Sequence, residues 1–318
     1  MKTSGLLNAI LASVTKVERV LVYRHTNPDP DAIGSQFGLV RLLKTAFPSK
    51  TIVAMGTVPQ PLTWIAMTDP VTVTPTSQDL VITVDCANHE RLAGNLPADA
   101  FVIKIDHHPN CDPYGQLNWV DDTYSSCAEM VFELSAAHPD ELTLTSAVAS
   151  ALYAGMIGDT VRFSTPETSA RTLAIASQLA QFNVDVATIS HHEMDLTPKL
   201  SKLYGYVLSH LTVDALGLAH ITLSQTVLRT LAIPYGDEDA IIPLPGNLTN
   251  VRVWLIFIAT PQGNYRVHFR SKGVPVDGVA KQFNGGGHEL ASGTFVPDTD
   301  TIQAVIAAMQ NQIRKVTK

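Results

Sequence analysis

Aspartate and histidine residues recur in short groups through the first half of this 318-residue sequence. The groups are His25-Thr-Asn-Pro-Asp29-Pro-Asp31, the single Asp85, Asp106-His107-His108 and the later Asp159. Carboxylate and imidazole ligands without a thiolate favour Mn²⁺, and also suit Mg²⁺, Fe²⁺ or Co²⁺. If the fold brings these carboxylates together, they repel one another unless cations neutralise them. The pattern therefore predicts two divalent metal ions, and pairs of such ions hydrolyse phosphate esters.

Three of these groups directly follow short apolar segments that are typical of buried parallel strands. Four such segments occur, at 19–23 (RVLVY), 51–55 (TIVAM), 80–84 (LVITV) and 101–105 (FVIKI), and all except 51–55 precede one of the groups. Helical patterns follow at 34–45, 124–137, 144–157 and 167–181. This alternation predicts an α/β fold with a doubly wound, mostly parallel sheet. Ligands bind outside the carboxyl ends of such strands, so His25, Asp85 and Asp106 should share one crevice with Asp159, which follows a predicted helix.

The chain length favours two domains. We expect the first domain over 1–190, a connector over 191–212, and a smaller α/β domain over 213–318. The smaller domain contains apolar strand-like segments, a glycine-rich turn at 284–288 and a closing helix near 300–315. His191 and His192 fall in the connector, where a linker or surface role is the favoured interpretation.

The net charge is −7, which excludes a strongly basic nucleic-acid coat protein. The acidic excess is confined to residues 1–210, which hold 13 basic and 21 acidic residues, against 9 and 8 in the remainder. Cys86, Cys111 and Cys127 form no CxxC pair, so a reducing cytoplasm is expected. No apolar run approaches the roughly 20 residues of a membrane span, so no membrane partner is expected.

A compact basic group marks the second domain. Five basic residues and one acid, Asp277, lie between 252 and 281. Arginine offers a planar fork to phosphate oxygens, and successive glycines let backbone N–H groups approach an anion. We predict a substrate-binding clamp made of Arg270, Ser271, Lys272, Gly285, Gly286, Gly287 and His288.

Together these motifs resemble a DHH-family phosphoesterase with a C-terminal DHHA1 domain. The motifs that carry the resemblance are His25 to Ser35 (HxxPDxDAxGS), Asp85, Asp106-His107-His108, Asp159-Thr160, Phe269-Arg270-Ser271-Lys272 and Gly285-Gly286-Gly287-His288. One departure is Val161, where the family often has glycine. The resemblance also implies an active-site cleft between the two domains.

The resemblance implies a role for each residue. His25 and Asp29 would bind one metal, while Asp31, His107 and Asp159 would bind the other. Asp85 would bridge both metals. Asp106 would orient a ligand imidazole, and His108 would lie near the scissile phosphate as a hydrogen-bond donor or acid.

Within this family, the short chain lacks the Ser-Arg-Lys-Lys-Gln motif of family II pyrophosphatases and the extra domains of RecJ-type exonucleases. The resemblance then favours the oligoribonuclease/pAp phosphatase group. Such an enzyme would hydrolyse short oligoribonucleotides to nucleoside 5′-monophosphates and 3′-phosphoadenosine 5′-phosphate (pAp) to AMP. It would act on short RNA and small nucleotides rather than long duplexes, and a homodimer would be in keeping with the family.

Two alternatives stay open. The first is a stand-alone phosphodiesterase of pApA or cyclic di-AMP, which would use the same metals and the same clamp. The second is a non-catalytic nucleotide-binding regulator, which would be expected to have lost at least one ligand.

Overall fold

The computed structural model describes residues 3–68, 73–234 and 236–316, and the chain divides into two compact units. The first unit is Met1–Asp195 and the second is Leu196–Lys318. The predicted α/β class is confirmed, with a parallel sheet in the first unit and a separate mixed sheet in the second. No helix in the described ranges is both long enough and apolar enough to cross a membrane.

The first unit contains five strands and six α-helices among its described residues. In chain order they are α1 (Thr3–Thr15), β1 (Arg19–Tyr23), α2 (Pro30–Ala46), β2 (Thr51–Ala54), β3 (Leu80–Val84), β4 (Phe101–Asp106), β5 (Leu117–Val120), α3 (Cys127–Ala137), α4 (Ser146–Asp159), α5 (Ala170–Ala180) and α6 (Val186–His192). The strands are all parallel, in the order β2-β1-β3-β4-β5. Strand β5 was not predicted from the sequence, because it is a short edge strand with only one fully buried residue, Trp119.

The two faces of this sheet are covered differently. All six helices contribute to one large apolar core on the first face. The second face carries a smaller cluster around Leu21, Tyr23 and Val81, and within the described residues none of its members lies on an α-helix. Loops cover this second face, including a short 3-10 turn at His89–Arg91.

Helix α2 begins four residues earlier than the sequence predicted. Asp29 caps it by accepting a hydrogen bond from Ala32 N at 2.9 Å, and Pro30 occupies the first turn. Proline at that position has no N–H to leave unpaired, so a Pro-Asp-Pro-Asp sequence starts this helix instead of forming a free turn. The cap matters for function because Asp29 and Asp31 both belong to the predicted site.

Glycines set the distance between α2 and α4. A Cβ at Gly34 would lie 2.8 Å from Gly155 N, and a Cβ at Gly155 would lie 2.7 Å from Asp31 Oδ1. These two positions therefore accept only glycine without a backbone shift. The close approach brings the first turn of α2, with Asp31, against α4, whose last residue is Asp159.

The second unit is a six-stranded mixed sheet with helices. Its elements are α7 (Pro198–His210), β6 (Thr212–Val213), β7 (Leu218–Leu223), α8 (Gln225–Thr230), β8 (Val253–Ala259), β9 (Tyr265–Ser271), α9 (Asp277–Gln282), β10 (Gly286–His288), β11 (Ala291–Val296) and α10 (Thr299–Val316). The strand order is β10-β11-β9-β8-β7-β6. Among the described strands of this sheet, only β7 and β8 pair in parallel.

Two segments of the second unit differ from the sequence prediction. Leu203 and Val207 of α7 are buried in the core of this unit, so the helix placed in the predicted connector is part of a packed domain. The glycine-rich segment predicted as a turn forms the edge strand β10, which pairs antiparallel with β11. The glycines of β10 pair through their backbone groups. Because glycine has no side chain, the alternation of polar and apolar residues could not predict this strand.

The contact between α2 and α4 gives a test of the fold. Gly34→Ala should lower the free energy of unfolding by about 1–3 kcal/mol, because the new methyl group overpacks the contact with Gly155. Urea denaturation followed by circular dichroism measures this change. Gly205→Ala is the matched control, since a Cβ there meets open space on α7 and should stabilise by roughly 0.5–1 kcal/mol. A Gly34→Ala protein as stable as the parent would contradict the packing argument.

Candidate metal centre

The sheet order places the predicted ligands at neighbouring strand ends. Strands β1, β3 and β4 are adjacent, and His25, Asp85 and Asp106-His107-His108 lie at or just beyond their carboxyl ends. Asp159 reaches the same place from the end of α4, since its Oδ2 lies 3.0 Å from His107 Nε2. The structure therefore brings all six predicted ligand residues into one site.

Within this site the candidate ligand atoms form one group around His25 and a second around His107, on the two sides of Asp85. His108 also lies close enough to Asp85 and His107 to share an ion in the second group. In the first group, His25 Nε2 lies 3.6 Å from Asp29 Oδ2 and 3.4 Å from Asp85 Oδ2. In the second, His107 Nε2 lies 3.4 Å from Asp85 Oδ1 and 4.0 Å from Asp31 Oδ2. The two oxygens of Asp85 thus face different groups, which is the arrangement that a bridging carboxylate needs.

Backbone contacts fix the orientation of the carboxylates. Asp31 is completely buried and accepts hydrogen bonds from Cys127 N at 2.6 Å and Ala128 N at 3.0 Å, at the N-terminus of α3. Asp29 uses Oδ1 for its cap, which leaves Oδ2 facing His25. Asp85 adopts φ +51°, a left-handed conformation that aspartate tolerates better than most residues. These constraints preorganise the site before any ligand binds.

The electrostatics of the site fit divalent cations. Burial raises the pKa of Asp31, and repulsion from Asp159 and Asp85 raises it further. Burial would lower the pKa of His107, but the neighbouring carboxylates of Asp159, Asp85 and Asp31 outweigh it and raise the pKa to about 12. Asp85 Oδ1 and His107 Nε2 are buried without a hydrogen-bond partner. Without metal, protons partly neutralise these acids, and cations could take over that role at the orphaned atoms.

The side-chain atoms that could bind metal at this site are carboxylate oxygens and imidazole nitrogens, which favour hard or borderline cations. The Cys86 thiol follows Asp85 in sequence, but burial raises its pKa to about 11, so it stays protonated. Oxygen and imidazole donors are then left to bind the ions. The residues present thus fit two divalent metal ions.

Asp106 has a different neighbour from the one that the family resemblance implied. It was expected to orient a ligand imidazole, but its Oδ1 lies 2.8 Å from Nδ1 of His108, which is not one of the predicted ligands. Asp106 is fully buried, whereas the His108 side chain is 38% exposed. The hydrogen bond to Asp106 raises the pKa of His108 against the opposing effect of burial. The pair presents the His108 imidazole at the edge of the site, with Nδ1 turned toward Asp106.

The predicted clamp residues of the second unit lie at the end of β9 and along β10. Arg270 Nη1 donates to the carbonyls of Phe269 at 2.9 Å and Ser292 at 3.4 Å. Lys272 Nζ donates to Leu248 O at 2.8 Å. Ser271 Oγ accepts from Val274 N at 2.6 Å, so this serine holds the turn after β9.

The three glycines of the predicted clamp are under different structural constraints. A Cβ at Gly285 would meet Thr294 Cβ at 2.6 Å, and Gly287 has φ +136°, so the fold itself requires both. A Cβ at Gly286 would meet open space. His288 is exposed on the same edge strand. Gly286 is therefore the position where the absence of a side chain leaves backbone open to a ligand.

The second unit is less basic than the sequence suggested. Between 252 and 281 the sequence offers one acid, but the fold brings Glu238 and Asp239 from a 3-10 turn into ion pairs with Arg266. Lys281 pairs with Asp277 at 2.7 Å. The positive charge near β9 is thus partly neutralised by residues distant in sequence.

Comparisons with known proteins agree with the motifs. The model of the DHH family, N-terminal domain, matches residues 19–156, and the DHHA1 domain matches residues 239–315. The chain belongs to the DHH family.

Two relatives span nearly the whole length of this DHH chain. A Streptococcus mutans protein named "Probable bifunctional oligoribonuclease and PAP phosphatase NrnA" is 41% identical, over 89% of this chain and 91% of that protein. A Bacillus subtilis protein named "Bifunctional oligoribonuclease and PAP phosphatase NrnA" is 33% identical, over 95% and 96%. The crystal structure of an exopolyphosphatase-related protein from Bacteroides fragilis shares the fold, with a TM-score of 0.82, 22% identity and coverage of 99% and 98%.

The segment after Asp159 is where this DHH chain departs from its family pattern. Val161, Arg162 and Phe163 have φ values of +45°, +58° and +62°, a conformation that glycine adopts most easily. Thr160 stabilises this segment, because its Oγ1 donates to Met156 O and accepts from Phe163 N. Asp159, the candidate ligand before this segment, still faces His107 although Val161 stands where the family often has glycine.

Sequence reasoning missed one acid beside the site. Burial raises the pKa of Glu193 to about 7. Repulsion from Asp29 and Asp159 also raises this pKa, whereas the positive charge of Arg162 lowers it. Only its position after His191-His192 could have drawn attention to it. Those two histidines lie outside the ligand groups of the described chain, and His192 stacks on Trp64 with ring centroids 4.9 Å apart.

Metal binding to this DHH chain should release protons. Hydrogen bonds to Asp29 and Asp85 outweigh burial and raise the pKa of His25 to about 10, so His25 and His107 are protonated at neutral pH without metal. A metal ion must displace these protons, so its affinity should rise as pH rises. Calorimetric titrations with Mn²⁺ in buffers of different ionisation enthalpy count the protons released. Heats that are the same in every buffer would contradict this protonation state.

Proposed function

We propose that this protein is a two-metal phosphoesterase that hydrolyses short oligoribonucleotides to nucleoside 5′-monophosphates and pAp to AMP. The observation that carries the proposal is the position of Asp85, whose two carboxylate oxygens face His25 on one side and His107 on the other. A carboxylate shared by two ligand groups serves chemistry that needs two neighbouring cations.

In this proposal His25, Asp29 and Asp85 would hold one cation, while Asp31, His107 and Asp159 would hold the other, with Asp85 shared through the oxygen that faces His107. Mn²⁺ is the ion that we favour for both positions, since the donors are carboxylates and imidazoles. When bound, two such ions would supply an activated water and neutralise charge on the phosphoryl group. His108, held by Asp106, donates a hydrogen bond or a proton to the phosphate ester.

The second unit supplies the nucleotide-binding residues of this proposal. Arg270 offers a guanidinium with no carboxylate within ion-pair distance among the described residues. Gly286 leaves its backbone open, and Lys272 and His288 add donors nearby in sequence. A compact group of this kind suits one or a few nucleotides better than a long strand, which needs an extended basic groove.

The names of the relatives support this substrate class over pApA or cyclic di-AMP, because the two similar proteins described above are named oligoribonuclease and PAP phosphatase. A non-catalytic regulator is disfavoured because all six ligand positions carry aspartate or histidine. We further propose that the protein acts in the cytoplasm.

The first test compares substrates and removes the shared ligand. The protein with Mn²⁺ should hydrolyse pAp and 5′-labelled RNA of two to five residues with higher kcat/KM than pApA or cyclic di-AMP. Asp85→Asn should lower kcat at least 100-fold on every substrate and lower the bound metal, because it removes the shared charge but keeps the side-chain shape. Metal content by mass spectrometry and initial rates measure both effects. Near-normal rates in Asp85→Asn would contradict the two-metal mechanism.

The second test separates substrate binding from metal binding. Arg270→Ala should raise KM for pAp about 10- to 100-fold, the loss expected for one or two charge-assisted hydrogen bonds. The metal content should not change, since Arg270 lies in the other unit. Arg314→Ala, which removes an exposed arginine from α10, is the matched control and should leave KM unchanged. A loss of bound metal in Arg270→Ala would count against a substrate-binding role.

A further inference from the structure

One buried charge in the first unit has no role in the proposed chemistry. Lys104 is completely buried in β4, and its side chain lies on the same face as Val102 and Asp106. The flanking Ile103 and Ile105 point to the helical core on the other face. Burying an ammonium group is costly unless it is paired and hydrogen-bonded, so the partners of Lys104 explain why it is tolerated.

Lys104 Nζ contacts three separate segments at the end of the sheet. It donates to Ala87 O at 2.8 Å and to Asp112 O at 3.0 Å, and it lies 3.4 Å from Asp106 Oδ2. The ring of Tyr114 covers it, with Nζ 4.9 Å from the centroid. Tyr114 is in turn anchored, because its hydroxyl donates to Thr83 Oγ1 at 2.9 Å.

Each partner of Lys104 is connected to a residue of the site. Ala87 lies two residues after Asp85, so the bond to its carbonyl ties down the loop that leaves the shared ligand. Asp112 belongs to the loop that follows His108. Asp106 is the carboxylate that holds His108 Nδ1, and its second oxygen, Oδ2, is buried with no hydrogen bond of its own.

We propose that Lys104 is a positioning residue for the phosphoester reaction, which holds the buried Asp106 carboxylate in its orientation toward His108. The proposal rests on the proposed function, since it concerns the same site. Asp106 Oδ1 holds Nδ1 of His108 at 2.8 Å, which leaves Nε2 available to the substrate phosphate. Without the lysine charge, a buried carboxylate with one partner would no longer be compensated.

The position of Lys104 in the sequence fits this positioning role. Lysine is almost never fully buried without a partner, and here it interrupts an otherwise apolar segment, FVIKI, which Asp106 directly follows. Lys104 stands two residues before Asp106, which puts both side chains on the same face of the strand. The spacing alone places the two charges together, but the contacts to the two loops appear only in the tertiary structure.

The experiment compares charge with hydrogen bonding at position 104. Lys104→Gln can still donate to the two carbonyls but has no charge, whereas Lys104→Met has neither property. Both should lower kcat on pAp about 10- to 100-fold with KM and bound metal within twofold of the parent. Lys104→Arg, which keeps the charge, should recover more activity than Lys104→Gln. Lys50→Gln is the matched control, because Lys50 also donates to two backbone carbonyls, Thr15 O and Val17 O, but lies at the opposite edge of the sheet.

A double-mutant cycle with His108 distinguishes positioning from a purely structural effect. If Lys104 acts through Asp106 and His108, then Lys104→Gln should lower kcat less than threefold in a His108→Ala background. A structural loss would be the same in both backgrounds. ¹⁵N-histidine NMR adds a signature, since the Nδ1 resonance of His108 should shift in Lys104→Gln while that of the exposed His210 should not.

The outcomes separate this proposal from the proposed function. If the parent protein hydrolyses no phosphate ester with Mn²⁺, the proposed function fails. If the parent is active and Lys104→Gln is equally active, or if its loss of kcat is unchanged in the His108→Ala background, the role of Lys104 alone is overturned. If neither Lys104→Gln nor Lys104→Met folds, Lys104 serves the fold, and the positioning role is likewise overturned.

Discussion

The mutual repulsion of the buried aspartates is the constraint on which the first unit depends. Asp31, Asp85 and Asp159 each have a carboxylate oxygen within 4.0 Å of His107 Nε2, and the burial of Asp31 and Asp85 removes the water that would screen their charges. Such a group is stable only if protons or cations neutralise it and if rigid elements hold it in place. The parallel sheet meets the second condition, because three adjacent strands end at this point.

Much of the surrounding structure compensates for this concentration of charge. The N-terminus of α3 donates two backbone N–H groups to Asp31, and its helix dipole favours the anion there. Gly155 leaves room for the same carboxylate where any larger residue would displace it. Asp29 caps the helix with one carboxylate oxygen and belongs to a candidate ligand group with the other. Catalytic geometry and helix packing are therefore determined by the same few contacts, which explains why glycines in helix interiors, normally destabilising, are used here.

The second unit illustrates how local sequence can mislead about charge. Counting residues between 252 and 281 suggests a strongly basic surface, yet Arg266 is paired with acids that lie outside that window. Arg270 has no such ion pair among the described residues, and its guanidinium bonds to backbone carbonyls instead. The acidic first unit and the mildly basic second unit thus differ in chemistry as the sequence predicted, but the basic character is concentrated in fewer side chains.

The sequence by itself determined the α/β class, four of the five strands of the first sheet, and the six residues that meet at the candidate metal centre. It could do so because buried parallel strands are uniformly apolar and because their polar ends must meet at one edge. Tertiary structure alone decided that Asp106 holds His108, that Lys104 joins two loops behind it, and that Glu193 lies beside Asp29 and Asp159. These contacts join residues from different loops and helices, whose distances depend on packing such as the approach of Gly34 to Gly155, and no local pattern encodes them.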